Sequence, residues 1–542
     1  MRTNRRLSGR IILVLSTIAT AIAAAACSTA DSTSTTMHSS DSGAAISMPP
    51  AAPIDWQPCP EDLDPTAHKV PPDRIAVLDF SCGTQQMPVD YSEPNGDKLS
   101  VFLLRVHARD QPSRTGSLLV NNGGPGGLGT NAAFEWAAKT SDDVLRHFDI
   151  IGFDPRGVGR SSPVACLSDS RKDELFGVLR DLETIDGVTE ARRLNSAIND
   201  ECRNAAGPNL VHLNSTETAM DMDQIRESLG EASMNFYGPS YGTVLAGAYA
   251  HLFPTKVRTV VVDGAVDYAI GPIAAEEGQA AGTEQAFDQF AQWCIADPTC
   301  QAIGDPRIAV QALIETTTQT PLKAAGADSP RPVTSADIAY TAAKLLYFQD
   351  YWPRLGAAFA QAIVHGDGTD FRTYTDLLGK RAPDGRRDEN FTDAVRTVNC
   401  NDMSAQQFPD DAAVRRLATD WVSKYPIFGL YQANGLDNQL LLGCTGWPSA
   451  PHPITAESSD ATGSAPILVI GGRHDPSTPY QWAVDFAKTL KTGVLLTSEG
   501  QGHTQYFSNS CVADLTDRYL IEGTAPADGS ICAKDRDNSS TR

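Results

Sequence analysis

The sequence predicts an α/β fold: a mostly parallel central sheet, interrupted by a large, mainly helical cap insertion. Three observations carry this. Short, near-continuous apolar runs end at glycine-rich or proline-rich turns, as in "GSLLVNNGGPGG", "FDIIGFDPRG", "MNFYGPS" and "VRTVVVDGA". Such runs suit parallel strands covered on both faces, whereas a half-solvated strand would alternate. Helical patterns separate some of these runs, and strands alternating with helices build a sheet with helices on its faces. The strand grammar then stops near residue 268 and resumes at "APILVIGGRHDPSTP", so a single sheet is interrupted rather than completed.

From the N-terminus, "MRTNRRLSGR" carries four arginines and no acid, and the apolar run 11–26 follows it. A basic start, a short apolar stretch and small residues form the pattern of a signal peptide, too short for a comfortable membrane span. "AAAC" at 24–27 resembles a bacterial lipobox, which makes residues 1–26 a leader and Cys27 the lipidated terminus of the mature chain. Plain secretion is the alternative, because leucine is more usual than Ala24 at that position. Residues 28–53 are rich in Ser, Thr, Ala and Pro without an apolar period, the composition of a flexible tether. The expected localisation is the cell envelope, lipid-anchored to the outer face of the cytoplasmic membrane, with part of the protein secreted.

The chain of 542 residues carries a formal charge of −22, which becomes −26 once the four leader arginines are removed. That balance repels phosphate backbones and excludes nucleic acid as a partner. Of 11 cysteines, ten remain beyond Cys27, at 59, 82, 166, 202, 294, 300, 400, 444, 511 and 532. An even number in an exported chain reads as disulfides, and the simplest pairing joins neighbours: Cys59–Cys82, Cys166–Cys202, Cys294–Cys300, Cys400–Cys444 and Cys511–Cys532. There is no C-x-x-C pair, so no metal or redox site is expected.

Order should begin near "IDWQPCP". Residues 54–267 form the first part of the sheet domain. "AVLDFSC" and "LSVFLLRVHA" read as early strands. In "ETAMDMDQIRESLG", Met222, Ile225 and Leu229 share one helical face, and Gly230 ends the helix. Residues 268–445 read as the helical cap, with Tyr351 and Trp352 as cap core. Residues 446–542 complete the sheet through "GVLLTSEGQGHTQY".

The chemistry centres on "SMNFYGPSYGTVLAG". A lone G-x-S-x-G carries little weight in a chain with 43 glycines. Here, however, a strand, a sharp turn and a helix of small residues surround it, the context a nucleophile elbow requires. Ser240 needs a base to remove its proton. Five histidines follow it. His251 lies down the next helix, His365 and His452 sit in or beside the insertion, and His474 directly precedes an acid. His503, on a glycine-flanked loop after the last long strand, is the expected base. Asp475 in "HDPSTP" is the expected acid, with Asp263, ending "VRTVVVD", as the runner-up. Asp154 in "FDPRG" precedes the serine and reads as structural, paired with Arg156 or capping a turn. An oxyanion hole needs backbone N–H groups, expected from Tyr241 and from "VNNGGPGG" at Gly123 or Gly124. A phosphate loop is the rival for that segment, but no Gly-Lys-Ser/Thr follows.

Together, "NGGPGG", "FDPRGVGRSSP", "YGPSYG" and "GRHDPSTP…GQGHTQY" resemble the α/β-hydrolase serine peptidases that include prolyl iminopeptidase and tripeptidyl aminopeptidase. The chain is similar to actinobacterial secreted and lipoprotein members with a tripeptidyl-aminopeptidase-like C-terminal segment, and to mycobacterial cell-envelope proteases and carboxylesterases. The resemblance covers nearly all of the chain after the tether. It implies an α/β-hydrolase fold and a nucleophile at Ser240, acid at Asp475, base at His503 and oxyanion loop at Gly123 and Gly124. It departs at Asn122 and Leu128, where related peptidases often carry His and Ser. In aminopeptidases of this family, acidic cap residues hold the substrate's free amine. Asp402, in "TVNCNDMS", is the candidate here, with a turn or disulfide-loop role as the alternative. The implied reaction is aminopeptidase cleavage of short N-terminal peptides, without metal or organic cofactor. A carboxylesterase or lipase on the same triad, and a non-catalytic binding lipoprotein, are the alternatives. The oligomeric state is not encoded in any of these patterns.

Overall fold

A computed structural model describes residues 48–387, 390–435 and 440–535. The leader, Cys27 and most of the tether lie outside the described residues.

Nine strands form one sheet: β1 (Leu78–Pro88), β2 (Lys98–Ala108), β3 (Gly116–Val120), β4 (Phe148–Phe153), β5 (Met234–Pro239), β6 (Val257–Asp263), β7 (Ile467–His474), β8 (Gly493–Gln501) and β9 (Ser530–Cys532). Their order is β1-β2-β4-β3-β5-β6-β7-β8-β9. β1 pairs antiparallel with β2, and β2 with β4; every later pairing is parallel. This is the α/β-hydrolase fold.

The period of two explains why the central strands look continuously apolar. Leu118, Val120, Ile150, Tyr237 and Val261 enter one core, with Phe134 and Trp136 of the helix Gly129–Lys139. Leu119, Ile151, Phe236, Val260 and Val262 enter the other, against Met222 and Ile225 of the helix Ser215–Ser228. Both faces are dry, so most positions are apolar, and buried polar ones such as Ser117, Asp149, Asn235 and Thr259 are each hydrogen-bonded. Each fully buried side chain of this kind contributes about 1.5–3 kcal/mol. Asn214 caps the helix Ser215–Ser228 by accepting from the Glu217 N–H, and Gly230 beyond its end takes φ +74°.

β1 runs further than "AVLDFSC" indicates. Its second half, "GTQQMP", is polar by composition, yet Gln85 and Met87 point inward while Thr84 and Gln86 face solvent. β9 is only three residues long, too short to show a period.

Between β6 and β7 the chain is helical. The segments Gly271–Ala296, Pro306–Gln319, Ser335–Leu345, Trp352–His365, Thr369–Leu378 and Gly429–Ala433 surround a core that includes Phe287, Phe290, Trp352, Phe359 and Phe428, while Phe391–Asp402 packs on the sheet's core through Ala394 and Val398, and Asp411–Lys424 forms part of a further cluster. Trp352 is buried there, whereas Tyr351 is exposed with its ring edge-on to Phe348. Residues between β4 and β5 join this layer. Leu182, Val188 and Ala191 pack with Val414, Ala418 and Trp421. Buried Arg396 donates to the side-chain oxygens of Asn195 and Asn199. Disulfides join Cys59–Cys82, Cys166–Cys202, Cys294–Cys300, Cys400–Cys444 and Cys511–Cys532. Each closes a loop between neighbouring cysteines and stabilises by about 2–4 kcal/mol, mainly by constraining the unfolded chain.

Candidate active site

Ser240 sits between β5 and the helix Gly242–Leu252 with φ +53°, a left-handed conformation unusual for a residue with a side chain. Such strain costs about 1–3 kcal/mol and persists only where the surroundings impose it. They do so here: the Ser240 N–H donates to the Asp263 carbonyl (2.8 Å), and the Ser240 carbonyl accepts from the Thr243 N–H (2.9 Å). The flanking glycines have a steric reason. A Cβ on Gly238 would stand 2.3 Å from the Gly242 carbonyl oxygen, so only glycine lets strand and helix meet this closely.

Asp475 follows β7 and His503 follows β8. The His503 Nδ1 lies 3.0 and 2.9 Å from the two Asp475 oxygens. A carboxylate only accepts, so Nδ1 carries the hydrogen and Nε2 is left as the basic nitrogen. Asp475 also accepts from the N–H groups of Ser477 and Thr478 (both 2.8 Å) and from the Thr478 hydroxyl (2.9 Å). Ser240 and His503 line one cavity of about 230 Å³, together with Asn122, Gly124, Tyr241, Tyr347 and Ser477. Val266, Ala275, Val395, Leu440 and Trp482 make much of its wall apolar. A hydroxyl and an imidazole held by a carboxylate, facing one cavity, are equipped for nucleophilic acyl transfer.

The two glycines expected in the oxyanion loop separate in role. The Gly123 N–H donates to the Asn121 side-chain oxygen (2.8 Å) and is therefore already committed. Gly124, with φ +114°, lines the cavity. Gly123 answers a packing need: its Cβ would lie 2.8 Å from the Pro239 carbonyl oxygen and 3.1 Å from the Ser240 Cβ.

Asp263, the runner-up acid, does something the sequence did not reveal. Its carboxylate is fully buried and accepts from the N–H groups of Gln505 and Tyr506 and from the Tyr237 hydroxyl. Its carbonyl holds Ser240, so one residue ties the serine turn to the loop that carries His503. Burial pushes its carboxyl up to about 6. Asp154 accepts from Thr130 and from the Arg160 N–H, which caps the turn. Arg156 pairs elsewhere, with Glu217 and Asp221. His474 contacts Gln289 instead of the acid beside it.

Asp402 does not face the cavity. It ends the helix Phe391–Asp402 with no exposed surface, and it accepts from the Ser215 N–H (2.8 Å) and the Ser215 hydroxyl. The Tyr241 hydroxyl donates in turn to the Ser215 oxygen at 2.6 Å. The carboxylate thus supports Tyr241 from beneath, and an amine in the cavity could not reach it without displacing these bonds. Burial raises its carboxyl to about 7, from 3.8 for a free side chain. The folded protein therefore binds an extra proton between about pH 4 and 7, and stability falls as pH rises through that window. Each pKa unit is worth about 1.4 kcal/mol. Asp402→Asn, which cannot titrate, should accordingly flatten the Tm-against-pH curve between pH 4 and 8. Its Tm should gain on the wild type as pH increases. Parallel curves for the two proteins would show that Asp402 keeps its ordinary titration.

A mostly parallel sheet with a strained serine elbow after β5, and an Asp–His pair after β7 and β8, defines a serine hydrolase. The chain belongs to the α/β-hydrolase family that contains the mycobacterial serine protease Hip1 and carboxylesterase B. Serine protease Hip1 of Mycobacterium tuberculosis is 32% identical over 494 residues, covering 89% of this chain and 91% of that protein. Carboxylesterase B of the same organism is 31% identical over 505 residues, covering 89% and 92%. Tripeptidyl aminopeptidase of Streptomyces lividans is 28% identical over 521 residues, covering 91% and 89%. The family described as TAP-like protein matches residues 426–532. Relatives that are named hydrolases over nearly the whole chain set aside the binding-only alternative.

Proposed function

We propose that the protein is an exported peptidase in which Ser240, His503 and Asp475 form a catalytic triad. His503 Nε2 takes the Ser240 proton as the oxygen attacks the scissile carbonyl carbon. The N–H groups of Tyr241 and Gly124 hold the oxyanion. Collapse breaks the C–N bond, His503 returns the proton to the leaving amine, and the Ser240 ester remains. Water, deprotonated by the same imidazole, then attacks the ester carbonyl; collapse breaks the acyl–Oγ bond, and His503 returns the proton to Ser240. Asp475 stays ionised throughout and fixes the imidazole. The single observation that carries this reading is His503, held by Asp475, facing the same cavity as the strained Ser240.

The substrate reading is cleavage near a free N-terminus, releasing short peptides. Similarity to tripeptidyl aminopeptidase supports it; Asp402 no longer does, because it is buried. A peptide-library digest read by mass spectrometry tests this reading with free and acetylated N-termini. Free termini should be cleaved at least tenfold faster, and equal rates would defeat the aminopeptidase reading while sparing the peptidase one. The apolar cavity wall and the likeness to carboxylesterase B favour a second reading, an esterase. A peptidase should retain high kcat/KM on an amide matched in acyl group to an ester, and an esterase should not.

Export and an anchor at Cys27 belong to the same proposal. The basic start, the apolar run and "AAAC" support it, as do five disulfides, which persist in oxidising compartments. Metabolic labelling with a clickable fatty acid should mark the wild type and not Cys27→Ala.

A further inference from the structure

One hydrogen bond does not fix a ring. Held only at Nδ1, the His503 imidazole could still rock about its bond to Asp475 and swing Nε2 away from Ser240. A second constraint comes from the helical segment between β6 and β7. Tyr347, two residues beyond the helix Ser335–Leu345, accepts the His503 backbone N–H on its carbonyl at 2.8 Å. Its ring meets the imidazole edge-on, with centroids 5.2 Å apart and planes at 62°. Its hydroxyl accepts from the Ser477 hydroxyl at 3.0 Å, and the Ser477 N–H donates to Asp475. Lys344 donates to the same Tyr347 oxygen at 3.2 Å, with its ammonium 4.8 Å from the ring centroid. The backbone before the base is pressed against this segment, since a Cβ on Gly502 would lie 2.5 Å from the Tyr347 carbonyl oxygen.

We infer that Tyr347 is a positioning residue for the general base, a clamp whose ring stops the imidazole from rotating and whose hydroxyl ties it to the acid loop. The inference rests on the reading of His503 as base. It makes the helical segment part of the catalytic geometry as well as a wall of the cavity. A misplacement of about 1 Å at a reacting group can cost on the order of 10²-fold in rate, so a loosened imidazole should be visible in kcat.

The test compares Tyr347→Phe, which keeps the ring, with Tyr347→Leu, which keeps apolar bulk only. Two quantities are measured: the second-order rate of fluorophosphonate labelling at Ser240, and kcat and KM on p-nitrophenyl acetate, a substrate too small to need the cavity's far wall. The Phe variant, which loses the tie to Ser477, should lose about three- to fivefold in labelling and kcat, and wild-type rates in it would remove the hydroxyl's part of the inference. The Leu variant should lose about tenfold or more in labelling and kcat, with KM within about twofold. Tyr347→Met serves the same purpose if the Leu variant fails to melt as a folded protein. Wild-type labelling in the Leu variant would overturn the inference, as would a loss confined to KM, the mark of a cavity wall. A Phe variant as impaired as Leu would overturn the ring's role. If wild type itself is not labelled while intact by thermal melt, the serine-hydrolase mechanism falls and this inference falls with it. Labelled wild type with unaffected variants removes the inference alone.

Discussion

Asp475→Asn is expected to lower kcat by about 10⁴-fold, the cost of this change in a serine triad, with little effect on KM. The reason lies in the donors around the carboxylate. Asp475 accepts from His503, from the Ser477 and Thr478 N–H groups and from the Thr478 hydroxyl, so both oxygens are occupied by donors. An asparagine must turn its NH₂ toward one set of them. Facing His503, the NH₂ can only donate, which forces the imidazole to carry its hydrogen on Nε2 and leaves no basic nitrogen for Ser240. Facing the loop, it confronts the Ser477 and Thr478 N–H groups and opens the turn. Asp263→Asn is the matching control, because Asp263 also lies at a strand end near the base. Its oxygen can still accept from Gln505 and Tyr506, so a loss of no more than about tenfold is expected. Steady-state kcat on one ester substrate decides between them. A larger loss in the Asp263 variant than in the Asp475 variant would reverse the assignment of the acid.

Gly123→Ala should cost about 10²–10³-fold in kcat, the scale of losing an oxyanion donor, although the Gly123 N–H is not itself that donor. Gly123 has φ +71°, which an alanine adopts only under strain. The added Cβ would lie 2.8 Å from a backbone carbonyl, that of Pro239, and 3.1 Å from the Ser240 Cβ. Backbone cannot swing aside as a flexible side chain can. Either the loop carrying Gly124 withdraws from the serine or the elbow shifts; both misalign the N–H groups with the developing oxyanion. Substrate binding depends on more distant walls, so KM should move far less than kcat. Full activity in a folded Gly123→Ala protein would show that the loop has slack which the present geometry does not reveal.

How legible each feature was depends on how local its cause is. The runs "GSLLV", "FDIIGF" and "VRTVVVD" announce parallel strands because two dry faces leave little room for polar residues, whatever the rest of the chain does. "GTQQMP" hides its strand: in β1, Gln85 is buried and Gln86 exposed, and composition does not distinguish them. The elbow at Ser240 was readable for a similar reason, since Gly238 is required by its own neighbour four residues on. For Asp402 the sequence leaves an amine-holding role and a turn or disulfide-loop role both open, because the partners that bury it, Ser215 and Tyr241, come from distant segments. A carboxylate near a disulfide looks alike in sequence whether it faces substrate or a buried hydroxyl. Asp263 likewise offers itself in sequence only as the runner-up acid, because its bonds to Gln505 and Tyr506 reach across 242 and 243 positions.

By itself, the sequence determined the strand grammar, the neighbour pairing of the cysteines as an expectation, and the serine, aspartate and histidine to consider. Local sterics and a period of two or 3.6 act within a few residues, and a linear pattern records them. Only the tertiary structure decided that Asp402 lies beneath Tyr241, that Gly123 rather than Gly124 has its N–H already bonded, that Asp263 joins two loops and that Tyr347 reaches the imidazole. Each of those facts depends on which distant surfaces pack together. Packing is a property of shapes that exist only after folding, so no short stretch of residues carries its signature.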